Sequence, residues 1–573
     1  MTDVGGTNEE EVNYYQDYRN KPVLVIGFGL SGIIQCHTLL AQGFQNVTVV
    51  ESSNSFGGVW HVDKQWPGLQ AQNTKDNFQF PDMRPKNPNN WDDFPTQEQI
   101  NQYLKDYIET FDLEKHVHYN CQVKNLSRYY DSNERQWKFK TLFTKSINGN
   151  VEHMYDFVIC ATGYTSNPKF PTCLDQDVQG GGNCIPTNVK VIHSCDIRKE
   201  LKNDPSFGKD KRVAIVGSFK SAMDSAVWAV EAGGAKDVHV FMVKAPFTVN
   251  QYQDTSGNKE KGLVEFNRIF SRLLSWLLPC NPETVKVNGT ISKILYLMHC
   301  TTIGIAIVNF LWSTKLKECA KLEGTPQELI PVDRKFRDNA GFLCVLPARF
   351  ADHVNAGNIK LHVGVKCTGF AAADKNKLTF QHVEGTLPQG GATKNLQKSL
   401  SYECDVVISA TGYKSSLDVF LSKEIQEHLY DQTTGQARLY RAVYCPNLPQ
   451  MAFVGLHITF NTMFASAAAA RWVAELAKGI PSSRLTLPLD SKVVGSTIDA
   501  GLAFERSQYK NAFERKPLGI YTTGASYITY LDSVLGDIGV TKLWRSPNGL
   551  LDNICGQVKP EHYVGLTTSE KFA

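Results

Sequence analysis

The chain has 573 residues, 42% of them hydrophobic, and a formal net charge of +3. That length predicts two or three domains and that composition a globular protein, while the near-neutral balance without a basic run argues against a nucleic-acid partner. The 14 cysteines are scattered with no Cys-x-x-Cys among them, which points to neither a metal site nor a vicinal redox pair. Residues 1–20 are polar, with Glu9, Glu10 and Glu11 where a signal peptide would need lysines and an apolar run, so an intracellular setting is expected, cytoplasmic or on the cytosolic face of a membrane.

In chain order, the first unit begins at Lys21. Pro22-Val-Leu-Val-Ile26 predicts a buried strand, the glycines that follow a turn, the pattern through Leu39 and Leu40 a helix, and Val47-Thr-Val-Val50 the returning strand. Phe157-Val-Ile-Cys-Ala-Thr162-Gly-Tyr164 is a further apolar strand running into a glycine turn. A second β-α-β unit starts near Lys211, with Arg212–Val216, a helix over 221–232 and Val238–Val243. Between about 253 and 345, Phe266–Leu278 reads as an amphipathic helix with Arg268 and Arg272 on its polar side. Ile294–Trp312 carries no Asp, Glu, Lys or Arg and is just long enough to span a bilayer. It also holds His299, Thr301, Thr302 and Asn309, which are costly in hydrocarbon, so the insertion is expected to cap the active site first and to touch a membrane surface through 263–312 second. Val406-Val-Ile-Ser-Ala-Thr411-Gly412-Tyr413 then repeats the earlier strand.

The fold class expected is α/β, with two Rossmann-like dinucleotide-binding domains, the second inserted in the first, plus a helical insertion. Residues 1–165 and 405–573 are expected to be the two halves of the first domain, with the second occupying 166–404.

Gly27-Phe-Gly29-Leu-Ser31-Gly32 fits G-x-G-x-x-G between a strand and a helix. Gly27 permits the tight turn, Gly29 leaves room for a pyrophosphate, and Gly32 lets helix and strand close together. Glu51 ends the next strand, where a carboxylate accepts from ribose hydroxyls and repels a 2′-phosphate, so FAD or NAD belongs here rather than NADP. Gly57-Gly58-Val-Trp60 offers a second close backbone approach with a tryptophan beside it; read blandly, it is a turn with a core Trp. The second loop, Gly217-Ser-Phe219-Lys220-Ser221-Ala222, has Phe where the middle glycine should be, yet Lys220, Ser221 and the helix start offer donors to a phosphate.

Together these residues resemble the flavin-containing monooxygenase family. Gly27, Gly29, Gly32, Glu51 and Gly57-Gly-Val-Trp60 are similar to its FAD-binding segment. Gln70-Ala-Gln-Asn73-Thr-Lys-Asp76 with Phe80-Pro-Asp82 is similar to its stretch holding an asparagine beside the flavin. Phe94-Pro-Thr, Tyr103-Leu, Phe111-Asp-Leu, Ile192-His193-Ser194, the two Ala-Thr-Gly-Tyr strands and Ala470-Arg471-Trp472 follow in the family's order. The chain departs from it at Thr187, Val189 and Ile197 around His193, which therefore reads at least as well as a structural histidine, and at Phe219.

The resemblance implies FAD held by Gly27, Gly29, Ser31, Gly32, Glu51, Gly57, Gly58, Trp60 and Asn73, with Thr162, Thr411 and Gly412 as further cofactor-binding residues. It implies NADPH held by Gly217, Lys220, Ser221, Ala222 and Lys244, the last placed past the second strand for the 2′-phosphate. Asn73 would be the catalytic side chain; its bland reading is a turn residue. The reaction implied is oxygenation of a soft nucleophile, a small amine or thioether, by NADPH and O2 through a C4a-hydroperoxyflavin, which needs no nucleophile from the protein. The alternatives are a Baeyer–Villiger enzyme acting on ketones, disfavoured by the missing tryptophan after His193, and a non-catalytic membrane-associated nucleotide-binding protein.

Overall fold

The computed structural model describes residues 16–145, 149–175, 185–251, 343–371, 376–383, 399–433, 435–459 and 461–479, with shorter stretches at 303–304, 306–307, 310–311, 325–329, 494–499, 521–524, 527–539 and 557–568 and the single residue 485. The first unit is β1 (Val23–Ile26), α1 (Leu30–Ala41) and β2 (Val47–Val50). All four residues of β1 are buried, as a strand covered on both faces of a parallel sheet requires. After α2 (Gln97–Thr110) and β3 (Val117–His118), the antiparallel layer β4 (Cys121–Asp131), β5 (Gln136–Lys145) and β6 (Gly149–Tyr155) leads to β7 (Phe157–Cys160). The chain crosses over through β8 (Asn167–Pro168) and β9 (Lys190–His193), then α3 (Ile197–Asn203) brings it to the second unit, β10 (Arg212–Val216), α4 (Lys220–Glu231) and β11 (Asp237–Met242).

Next come β12 (Phe247–Asn250), β13 (Leu343–Leu346), α5 (Ala348–Asn355) and β14 (Ile359–Val363). The antiparallel trio β15 (Val365–Phe370), β16 (Lys377–His382) and β17 (Ser399–Glu403) precedes β18 (Val406–Ser409) and β19 (Tyr413–Lys414). The remaining elements are α6 (Lys423–Leu429), β20 (Met451–Phe453), β21 (His457–Thr459), α7 (Thr462–Lys478), β22 (Tyr521–Gly524) and α8 (Tyr527–Asp537).

Two five-stranded parallel sheets result, ordered β20-β7-β1-β2-β3 and β14-β11-β10-β18-β9. This is the α/β class expected, with the strands of one nucleotide-binding unit lying in the chain between strands of the other. The second Ala-Thr-Gly-Tyr strand, β18, pairs with β10 and β9 in the second sheet, whereas the returning strand of the first sheet is β20. A boundary at 405 therefore falls ahead of a strand of the second sheet. The two strands share one apolar pattern, and pattern alone does not choose a sheet.

The expected helical insertion at 253–345 lies outside the described residues except for isolated positions and its end, where β13 pairs in parallel with β12 and closes the insertion on the second unit. Ile294–Trp312 likewise falls almost wholly outside them. Among the described residues, no helix is long and apolar enough to cross a membrane.

The first unit is held from behind by α7, which packs along α1 and buries almost every side chain. That burial extends to charges. Glu475, fully buried, accepts from Arg471 at 2.8 Å and from Lys478 at 3.1 Å. The 557–568 segment straps across the same region. Its Tyr563 ring lies 4.8 Å from Phe464 of α7, and its Leu566 and Thr567 carbonyls accept from Arg471 and from Gln42 just past α1. It also grips the loop after Asn73, where the Gly565 N–H and the Thr567 hydroxyl donate to Asp82 and where Lys559–Asp76 and Arg84–Glu561 pair across the edge.

Candidate active site

Side chains cap α2 (Thr96 with Gln99), α6 (Ser422) and α7 (Asn461), whereas α3 and α5 have no side-chain cap. The two helices that follow the glycine loops, α1 and α4, start at Gly29 and Phe219 with no side-chain cap and no acidic residue in the first turn. Their first-turn N–H groups point past the carboxyl ends of the parallel strands, the place where an open α/β sheet takes an anionic ligand.

Around α1 the backbone leaves no room for side chains. A Cβ at Gly32 would stand 1.9 Å from the Gly27 carbonyl oxygen, so glycine is what allows α1 to lie on β1. A Cβ on Gly58 would lie 3.0 Å from the Cα of Gly29, which means the two glycine motifs meet backbone to backbone. Gly57 and Gly58 both have positive φ, +111° and +61°, which fits the second pair to this turn. Trp60 is buried with its ring edge-on to Phe78 at 5.4 Å, joining this turn to the loop that carries Asn73.

Glu51, 7% exposed, accepts from the Phe28 N–H at 2.9 Å and the Ser53 N–H at 2.7 Å. It thereby fixes the glycine loop; Oε1 also accepts from the Ser52 hydroxyl at 3.2 Å, and Oε2 keeps a lone pair for a ribose hydroxyl. The Ser31 hydroxyl meets the Ser466 hydroxyl of α7 at 2.9 Å, a bond that serves helix packing.

Asn73 is 1% exposed. Its Oδ1 accepts from the Thr74 N–H at 3.1 Å, and its Nδ2 finds no partner among the described residues. A buried amide with unmet donors costs free energy, on the order of 1–3 kcal/mol, unless a ligand supplies the acceptor. Asn461 repeats the pattern, capping α7 through Oδ1 while its buried Nδ2 has no partner among the described residues. Sequence reading did not single out Asn461. Its signal was an Asn immediately ahead of a long apolar helix, the form of an N-cap.

In the second unit, a Cβ at Gly217 would lie 2.4 Å from the Ala410 carbonyl oxygen, so this glycine is required by β18 beside it. Phe219 is half-buried and packs against the hydrophobic core. Lys220 and Asp224 form an i,i+4 ion pair at 2.5 and 2.6 Å, with both side chains largely buried. Burial raises the Asp224 pKa while the Lys220 charge opposes it. The ammonium expected to meet a phosphate is thus engaged within its own helix. Ala222 is fully buried, its N–H given to the Phe219 carbonyl at 2.8 Å, and Ser221 is half-buried in the first turn. Lys244 stands half-buried just past β11, where the sequence placed it. From the insertion, the Val345 N–H donates to Gln72 beside Asn73 at 3.4 Å, and β13 packs on α4. Both units and the insertion meet there.

Thr162, Thr411 and Gly412 lie where the chain crosses between the sheets. Thr162 bonds Ser416 at 3.0 Å and Thr411 donates to the Lys169 carbonyl at 2.5 Å. The Gly412 carbonyl accepts from His193 Nε2 at 3.0 Å, while the other ring nitrogen accepts from the Cys195 N–H at 3.3 Å. Burial lowers the His193 pKa to about 4, and the neutral ring tethers β9 to the turn after β18.

Against known proteins, residues 20–288 match the Flavin-binding monooxygenase-like family. The chain is 24% identical to the probable flavin-containing monooxygenase 1 of Arabidopsis thaliana, covering 97% of this chain and 98% of that one. Its fold is similar to S-allyl-L-cysteine S-oxygenase from Allium sativum, with a TM-score of 0.53 at 17% identity over 91% of this chain and 89% of that one. It is also similar to a cyclohexanone monooxygenase mutant from Rhodococcus sp. Phi1 bound to NADP+, with a TM-score of 0.59 at 15% identity over 91% and 98%.

Proposed function

We propose that the chain, whose residues 20–288 match the Flavin-binding monooxygenase-like family, holds FAD on the first glycine loop, takes hydride from NADPH on the second, and transfers one oxygen atom to the nitrogen or sulfur of a small amine or thioether. The observation that carries the reading is the backbone cradle where Gly29 meets Gly58, in front of an uncapped helix and behind Glu51. Bound there, the flavin would supply the redox chemistry and the activation of O2.

The chain's own residues position and enclose. The N-terminus of α1 would take the pyrophosphate, Glu51 the ribose, and the turn from Gly57 to Trp60 the approach to the ring. Asn73 and Asn461 would offer their amide hydrogens to acceptors of the cofactors, which accounts for two buried donors without partners among the described residues. Since Lys220 is engaged by Asp224, we assign the NADPH 2′-phosphate to Lys244 and leave the N-terminus of α4 to the pyrophosphate. Packing around Asn73, with β13 at its back, would keep water from the reacting atoms. The same reading divides the chain into an FAD domain of 1–165 with its second half beginning after β19, and an NADPH domain between them.

The visible spectrum of the purified protein, followed by stopped-flow reduction with NADPH and re-oxidation in air, tests this reading. A bound flavin reduced by NADPH and re-oxidised productively only with amines or sulfides is the expected result. Turnover of ketones instead would move the assignment to Baeyer–Villiger chemistry, and a colourless protein would end it.

A further inference from the structure

Fourteen cysteines without a Cys-x-x-Cys suggested no redox pair, yet the fold brings two together across 194 positions of sequence. The sulfur of Cys173 lies 3.6 Å from that of Cys367 and 3.4 Å from the Cys367 carbonyl oxygen. Cys173 sits half-buried in the short turn Thr172–Leu174 that follows β8, and Cys367 lies on β15, 8% exposed. We propose that Cys173 and Cys367 are a peroxide-oxidisable dithiol whose disulfide staples the first crossing segment onto the antiparallel sheet of the second unit.

The geometry suits the bond. Sulfurs in van der Waals contact must approach by about 1.5 Å to reach a bond of about 2.05 Å, a movement that side-chain rotation supplies. The pair is also chemically unequal. The contact with the Cys367 sulfur, with the charge of Lys366 adding to it, holds the Cys173 thiol below its usual range, whereas the same contact and burial push Cys367 up. Cys173 is therefore the one to react as thiolate and Cys367 the one to resolve. The Cys173 thiolate attacks a peroxide oxygen, the O–O bond breaks, and sulfenic acid and hydroxide form. The Cys367 thiol then attacks the sulfenic sulfur, its proton leaves with the departing oxygen as water, and the S–S bond closes. Two thiols are oxidised and one peroxide is reduced to two waters.

The proposed function supplies that oxidant, since NADPH oxidation without substrate releases hydrogen peroxide beside the protein. The location gives the bond a mechanical meaning. The turn holding Cys173 lies just past β8, which pairs with β19 where the chain crosses back, so the cross-link fixes one of the two crossings between sheets. Leu174 is already buried in the core under β15, so the staple would lock a contact that exists.

The test treats the purified full-length protein with hydrogen peroxide, then counts thiols and maps peptides. The expected result is the loss of two thiols, a peptide joining Cys173 to Cys367 that dithiothreitol releases, and slower amide exchange over 165–175. Cys173→Ser and Cys367→Ser should each abolish the cross-linked peptide, and Cys404→Ser should leave it. Pairing of Cys367 with Cys404, oxidation of Cys173 only to a sulfonic acid, or unchanged exchange in the cross-linked protein would overturn the proposal. Because peroxide is added from outside, a protein that binds no flavin would refute the proposed function and leave this result readable.

Discussion

Replacing Gly32 by alanine sets a fold effect against a ligand effect within one loop. The added methyl would stand 1.9 Å from the Gly27 carbonyl oxygen, a main-chain atom that side-chain rotation does not move. Normal contact is more than an ångström longer, so α1 must lift from β1 or the glycine turn must unwind. Overpacking in a well-packed core costs about 1–3 kcal/mol and occasionally more, and a clash between two backbones belongs at the upper end. About 3 kcal/mol is roughly a hundredfold in the folded-to-unfolded ratio of this domain. Gly29→Ala is the contrast. The tightest contact of its methyl is the Gly58 Cα at 3.3 Å, which a shift of a few tenths of an ångström relieves, yet it projects into the proposed pyrophosphate cradle. Urea unfolding followed by tryptophan fluorescence, on the flavin-free forms of both variants, separates the two. Gly32→Ala should unfold at clearly lower urea, and Gly29→Ala should match the parent within about 1 kcal/mol while retaining far less flavin. A Gly32→Ala protein as stable as the parent would refute the steric argument.

Asn73→Ala should keep the flavin and turn most NADPH oxidation into peroxide release, measured as peroxide formed per NADPH consumed; tight coupling in the variant would remove Asn73 from its role. Lys244→Ala should raise the KM for NADPH by roughly 10- to 100-fold, the loss of a charge-assisted contact of about 1.5–3 kcal/mol, and leave that for NADH unchanged; equal effects would mean that Lys244 does not read the 2′-phosphate. Glu475→Gln leaves Arg471 and Lys478 buried without their common carboxylate and should destabilise by about 3–5 kcal/mol in chemical denaturation. Burial holds His37, His193, His362 and His457 near a pKa of about 4, below the usual 6.5 that each regains on unfolding. The unfolded chain then binds the extra protons, so stability should be full above pH 6.5 and decline as pH falls from there towards 4. A denaturation midpoint that rises on acidification through that window would contradict the burial of these rings.

Both β-α-β units were legible because a strand, a glycine turn and a helix are local, and the turn chemistry of Gly27 and Gly217 is written next to the strands it serves. What stayed hidden was non-local. β7 (Phe-Val-Ile-Cys) and β18 (Val-Val-Ile-Ser) are similar apolar runs with the same Ala-Thr-Gly-Tyr ending, and only long-range pairing assigns one to each sheet. The engagement of Lys220 was in principle readable, since Asp224 follows at i,i+4 on one helix face, but a lysine after a glycine loop reads first as a phosphate donor. Asn73 stood out by resemblance, and its buried, partly unmet amide now gives that choice a physical reason. No spacing rule could bring Cys173 to Cys367.

The strap at 557–568 carries a consequence for biosynthesis. Thr567 reaches Asp82 across 485 positions, so the loop bearing Asn73 lacks its clamp until those further residues have left the ribosome. At about 5–20 residues per second that delay is on the order of 25–100 s, during which the apolar faces later covered by Tyr563 and Leu566 stay open to chaperones or to aggregation.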